Sequence, residues 1–158
     1  MAVLHHGRTN VYSLEYHIIF VTKYRKKVLD SQVRQDAIVY IRQRCKQHGV
    51  TLVEANGEED HLHLLIDATP NTDIPNLLKT LKGSSARHIL ITHPNIKQQL
   101  WGRHLWSPSY LICTVSENTE QMIRDYIHNQ GETKPDQEHL RQDALRRTKR
   151  KAAKKNGE

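Results

Sequence analysis

Between Val11 and Thr22 the residues Leu14, Tyr16, Ile18 and Phe20 alternate with Glu15, His17, Ile19 and Val21. That period of two, with apolar residues entering the second set, predicts a central strand covered on one face and partly on the other. The period then changes. Val33, Ala37, Ile41 and Cys45 fall at intervals of four with Ile38 alongside, which predicts an amphipathic helix over residues 31 to 48, capped by Asp30 or Ser31 and closed by Gly49. Val50 to Ala55 is a short strand, Asn56-Gly57 a hairpin turn, and His61 to Asp67 the strand that follows. Pro70 and Asn71 form a loop, Asp73 is the N-cap of a second helix, and Leu77, Leu78, Leu81, Ser85, His88 and Ile89 trace that helix. Gly83-Ser84-Ser85 lowers its helix propensity and is expected to permit close backbone approach. Pro94 interrupts, residues 95 to 101 are a short helix or ordered loop, and Tyr110 to Val115 is the last strand. The last helix runs from Asn118 to Gln130, begun by the Ser116 and Asn118 caps and stopped at Gly131, with Met122, Ile123 and Ile127 turned inward and Tyr126 at the rim. Residues 1 to 9, with His5-His6, carry no usable pattern and are expected to be a floppy end.

The order strand, helix, strand, strand, helix, strand, helix predicts an α+β fold. It is a ferredoxin-like (split βαβ) four-stranded antiparallel sheet with two helices on one face, its first and third strands central, and an appended C-terminal helix. One face of the sheet stays open, and the appended helix is the natural element to cover it.

Composition limits the class. The 158 residues suffice for one domain with its own core, and two cysteines, Cys45 and Cys113, are too few for a disulfide framework or a cysteine-based zinc site. No apolar run approaches the ~20 residues of a membrane span, and the N-terminus does not resemble a signal peptide, so a cytoplasmic protein with no membrane partner is expected. The net charge of +7 points to an anionic partner. From Glu132 to Glu158 nine Lys and Arg face five Asp and Glu, so more than half of the excess lies in a tail too poor in apolar residues to fold. The expected division is one folded domain over residues 1–131 and a basic, disordered tail over 132–158.

Three groups of residues carry candidate chemistry. On the strand His61 to Asp67 the period of two sends Leu62, Leu64 and Ile66 to one face and His61 and His63 to the other, where two imidazoles can converge on one ion. A His-X-His pair alone is a weak signal, because half-buried strands often carry polar residues on their exposed face. On the last helix Tyr126 and Gln130 stand four apart and share a stripe. An ion held by the histidines and the Gln130 amide keeps open positions, as a catalytic ion requires, and places a polarised phosphate beside the Tyr126 phenol. Lys23-Tyr24-Arg25-Lys26-Lys27 combines cations for phosphates with a ring for stacking, although alone such a run is usually a solvated turn. Lys23, Arg25 and Lys26, with Lys79 and Lys82 on the second helix, are the charge-based candidates for DNA contact.

The ordered marks Tyr16-His17, Lys23-Tyr24-Arg25, Asp60-His61-Leu62-His63-Leu64-Leu65, Leu81-Lys82-Gly83, Leu105-Trp106-Ser107-Pro108-Ser109-Tyr110, Ser116-Glu117-Asn118-Thr119, Tyr126 and Gln130 run from about Tyr12 to Gln130. In these the chain resembles a single-tyrosine transposase of the insertion-sequence 200/605 family, within the nucleases named for a His-hydrophobic-His motif. Glu59-Asp60 stands where relatives often have Pro-Asp. The resemblance implies that His61, His63 and Gln130 bind a divalent ion, magnesium or manganese, and that Tyr126 is the nucleophile. It implies single-stranded DNA with hairpin ends as substrate, a 5′-phosphotyrosine intermediate, and a homodimer in which the tyrosine helix meets the partner's His pair. A phenol, with a reference pKa of ~10, needs activation and in-line placement to act at neutral pH. Two other readings compete: a related tyrosine nuclease that processes chromosomal repeats, and a non-catalytic module binding single-stranded nucleic acid. The module calls for aromatic residues on the open face, where the third strand offers histidines.

Overall fold

The computed structural model describes residues 3–114 and 119–129. Among these residues six strands and three α-helices follow one another: β1 (His5–His6), β2 (Val11–Tyr12), β3 (Glu15–Val21), α1 (Ser31–Gln47), β4 (Thr51–Glu58), β5 (His61–Asp67), α2 (Ile74–Thr92), β6 (Leu111–Thr114) and α3 (Thr119–Asn129). The main sheet is antiparallel in the order β4-β5-β3-β6, so the first and third strands of the four, β3 and β5, are central as expected. Asp30 caps α1 by accepting from the amides of Gln32 and Val33, and Asp73 caps α2 by accepting from Asn76. Gly49 follows α1 with φ +72°, the left-handed conformation that a helix stop favours.

The core lies between the sheet and the two helices. Ile18 and Phe20 of β3 and Leu62, Leu64 and Ile66 of β5 meet Val33, Ala37, Ile41 and Cys45 of α1 and Leu77, Leu78, Leu81 and Ile89 of α2. Burial raises the Cys45 thiol pKa to about 11, against a smaller opposing effect of Arg42, so this cysteine behaves as a small apolar side chain. Trp106 closes one end of the core. Its ring packs 5.7 Å from Phe20, and its Nε1–H donates to Ser85 Oγ at 3.0 Å. A smaller cluster on the opposite face joins Ile19, Val21 and Ile123, with Leu111, Cys113, Tyr126 and Ile127 against it.

Several sequence-based expectations are corrected. The turn between β4 and β5 is Glu59-Asp60, and Asn56-Gly57 is paired inside β4. Gly57 stands opposite Leu62, where an added Cβ would collide with the His61 carbonyl oxygen, so the glycine serves a close strand approach. The turn itself is tied down by the Thr22 amide donating to Asp60 O and the Leu29 amide donating to Glu59 O, both at 2.9 Å. The predicted strand from Val11 to Thr22 is two strands. β2 pairs with β1, and β3 begins only at Glu15. His5-His6 is therefore no floppy end: His5 stacks on Tyr12 and bonds to Asp67 Oδ2 at 2.6 Å. Gly83 supports no close approach, because nothing lies within 4 Å of where its Cβ would be. Pro94–Gln99 and Trp101–Arg103 are 3₁₀ helices, in keeping with the short helix or loop expected there, whereas Met122 is 45% exposed, not turned inward. No helix among the described residues is long and apolar enough to cross a membrane. Ser116, Asn118, Gln130, Gly131 and the tail 132–158 lie outside the described residues.

Candidate active site

The antiparallel register determines what shares the second face of the sheet. Val21 pairs with His61, Ile19 with both His63 and Leu111, and His17 with both Leu65 and Cys113. Residues directly opposite point to the same side, so these rows form one surface, with the histidines on its β5–β3 half. α3 covers the other half. Ile123 is buried against Ile19 and Val21, with Tyr126 and Ile127 beside it. The tyrosine helix and the His pair thus lie side by side on one face of this chain.

His61 is held from behind. Asp60 Oδ1 accepts from its Nδ1–H at 2.8 Å, while Asp60 Oδ2 accepts from Arg25 Nε and Nη2, each at 3.1 Å. Burial pushes the Asp60 carboxyl pKa up, but the hydrogen bonds from His61 and Arg25 and their charges outweigh it and hold the group below the usual carboxylate range. An ionised carboxylate only accepts, so Nδ1 of His61 carries a proton and Nε2 is the nitrogen left to meet an ion. That arrangement orients metal-binding imidazoles generally.

His63 has an imidazole partner. Its Nε2 lies 2.7 Å from Nδ1 of His17, one ring donating to the other, with ring centroids 5.0 Å apart. Burial, and to a lesser degree the adjacent His17, pushes the His63 pKa below the ordinary imidazole value, which keeps the ring neutral near pH 7. The donor set fits a divalent ion: two imidazoles on one face, one with its nitrogen pre-oriented. An ion held through His63 Nε2 would replace the His17 hydrogen bond. Glu58, Asp60 and His61 also have ligand atoms within 4.8 Å of one another. Arg25 already neutralises Asp60 there, so we read this cluster as support for His61.

Tyr126 is half-buried, and its hydroxyl lies 3.2 Å from Ser109 Oγ. The Ser109 loop is clamped by Lys82, whose Nζ donates to the carbonyls of Ser107, Pro108 and Ser109 at 2.6, 3.0 and 3.1 Å. Burial lowers the Lys82 pKa.

A protein family described as "Transposase IS200 like" matches residues 10–130. The chain belongs to this family. By that membership it is a DNA transposase. It is 45% identical over 124 residues to the ISDra2 transposase TnpA of Deinococcus radiodurans, covering 78% of this chain and 89% of that protein. It is 31% identical over 129 residues to the transposase for insertion sequence element IS200 of Salmonella typhimurium, 82% of each being covered. The fold matches a crystal structure of a Deinococcus radiodurans R1 protein with a TM-score of 0.76 and 45% identity, over 80% of this chain and 98% of that one.

Within this IS200-like transposase the charge-based candidates divide. Lys26 and Lys79 are exposed. Lys23 is buried to 5% exposure with its Nζ 5.4 Å from the Tyr24 ring centroid, Arg25 is committed to Asp60, and Lys82 to the Ser107–Ser109 carbonyls. Sequence alone assigns no role to His17, Asp60 or Ser109. His17 shares a phase with Ile19 and Val21 in the β3 alternation, but its contact with His63 depends on strand register, which alternation alone does not determine.

Proposed function

We propose that this transposase cleaves and rejoins single-stranded DNA at insertion-sequence ends, with Tyr126 as nucleophile and His61, His63 and Gln130 as ligands of a divalent ion. The observation that carries the reading is the packing of the Tyr126 helix onto the sheet face that holds both histidines. Magnesium or manganese bound there supplies Lewis-acid polarisation of the scissile phosphate. Tyr126 Oη attacks the phosphorus, the bond from phosphorus to the 3′ oxygen breaks, the phenol gives up its proton and the departing 3′ oxygen gains one. The products are a 5′-phosphotyrosine and a free 3′-hydroxyl. One phosphodiester has replaced another, so the 3′-hydroxyl of a different strand reverses the step and joins the ends without a nucleotide cofactor. Ser109 orients the phenol, and the Arg25–Asp60 pair orients the His61 imidazole.

The same reading assigns the catalytic domain to residues 1–131, takes hairpin ends as the recognised DNA feature, and has two copies of the chain share the work. The test is incubation with labelled single-stranded DNA from the gene's flanks and manganese, followed by a denaturing gel. Wild type yields a covalent protein–DNA band, and Tyr126→Phe binds the DNA but yields none. A band that survives in Tyr126→Phe removes Tyr126 from the role of nucleophile.

A further inference from the structure

A cleft of about 370 Å³ opens between α2, the turn after β3 and the 101–108 segment. Its size lies within the ~300–1,000 Å³ typical of small-ligand sites. Lys23, Lys82 and Arg103 line it together with His104, and no carboxylate does. Another cleft of comparable size, about 440 Å³ at the β4–β5 turn, mixes Arg25, Lys27 and Arg34 with Glu58, Glu59 and Asp60. The lining of the first cleft carries positive charge alone, and that of the second is mixed.

Two features of its walls have no explanation in packing. Gly83 is an exposed residue in the interior of α2, where glycine weakens a helix, and no atom lies within 4 Å of where its Cβ would be. The absent side chain leaves the floor of the cleft clear. Across from it, Gly102 at φ +62° is followed by Arg103 at φ +59°, a left-handed conformation that is strained for arginine, and the pair sets Arg103 on the rim. The remaining wall is rigid, since Trp106 is anchored to Ser85 and Lys82 ties down the loop that carries Ser109. That loop meets the Tyr126 hydroxyl, so the cleft lies behind the segment that positions the nucleophile.

We propose that this cleft binds one nucleotide of the single-stranded DNA, its phosphate against the exposed Arg103 and its nucleoside over Gly83, beside Trp106. The inference rests on the single-stranded DNA reading above. Fluorescence anisotropy of a fluorescein-labelled single strand from the gene's flanks, titrated across a salt series, tests it with wild type, Gly83→Leu and Arg103→Gln. Gly83→Leu is expected to weaken binding at least tenfold while its thermal midpoint stays level or rises, because leucine is the better helix former. Arg103→Gln is expected to reduce the slope of log affinity against log salt by about 0.7, the loss of one phosphate contact on a single strand. Wild-type affinity in Gly83→Leu, or an unchanged slope in Arg103→Gln, overturns the proposal. The covalent band formed by wild type reports the transposition chemistry separately: if it forms while both variants bind like wild type, only the cleft assignment falls. If wild type binds no single-stranded DNA, both readings fall.

Discussion

The two faces of the sheet use the same strands for different ends. On the helix-covered face Ile18, Phe20, Leu62, Leu64 and Ile66 are fully buried among the side chains of α1 and α2. On the opposite face the same strands present His17, His61 and His63 beside a small apolar cluster of Ile19, Val21 and Ile123. The first face stores stability, because it removes continuous apolar surface from water. The second spends surface on imidazoles that need partners, and a single helix with one buried residue, Ile123, covers its apolar half. The proposed chemistry lies where the burial is thinnest, so that face can change without unfolding the covered one.

Substitutions on the two faces separate these roles. The largest effect is expected for His61→Ala with His63→Ala. DNA cleavage falls by more than ~10³-fold, or ~4 kcal/mol in barrier, at every manganese concentration, while the urea unfolding midpoint moves little. Undiminished cleavage removes the metal assignment. Leu64→Ala, one residue along but on the covered face, reverses the pattern and lowers stability by ~2–5 kcal/mol in urea titration. Asp60→Asn tests the support behind His61 and is expected to weaken manganese binding by ~10–100-fold in calorimetry. The same variant has a pH signature. The folded-state pKa of Asp60 lies below its ordinary value, so its contribution is complete above the unfolded carboxylate pKa of ~3.9 and is lost as pH falls through the folded one. The acid decline of the urea midpoint is therefore shallower in Asp60→Asn. The smallest effect belongs to Ile123→Ala, about 2 kcal/mol or less. It speeds hydrogen exchange in the amides of α3 and leaves those of β5 unchanged, because it loosens one helix and not the core.

Much of the fold was legible in the chain. The period-two runs, the interval-four helix, the Asp30 and Asp73 caps and the strand and helix order all agree with local forces acting over a few residues, and the central position of β3 and β5 follows from that order. The failures are long-range. Asn56-Gly57 has the turn chemistry of a hairpin, yet the pairing of Gly57 with Leu62 puts the turn three residues later, at Glu59-Asp60. His5 looked unpatterned because its partners, Tyr12 and Asp67, bring it order from outside its own segment.

The candidate site divides the same way. Alternation alone put His61 and His63 on the face opposite the leucines, and helical spacing alone put Tyr126 at the rim of its helix, because both depend only on backbone period. Only the tertiary structure decided that His17 bonds His63, that Arg25 holds Asp60 behind His61 instead of standing free for DNA, and that Lys82 clamps the loop carrying Ser109. Those contacts join residues 25 to 46 positions apart in sequence, and strand register and helix docking, which depend on the whole core, set them.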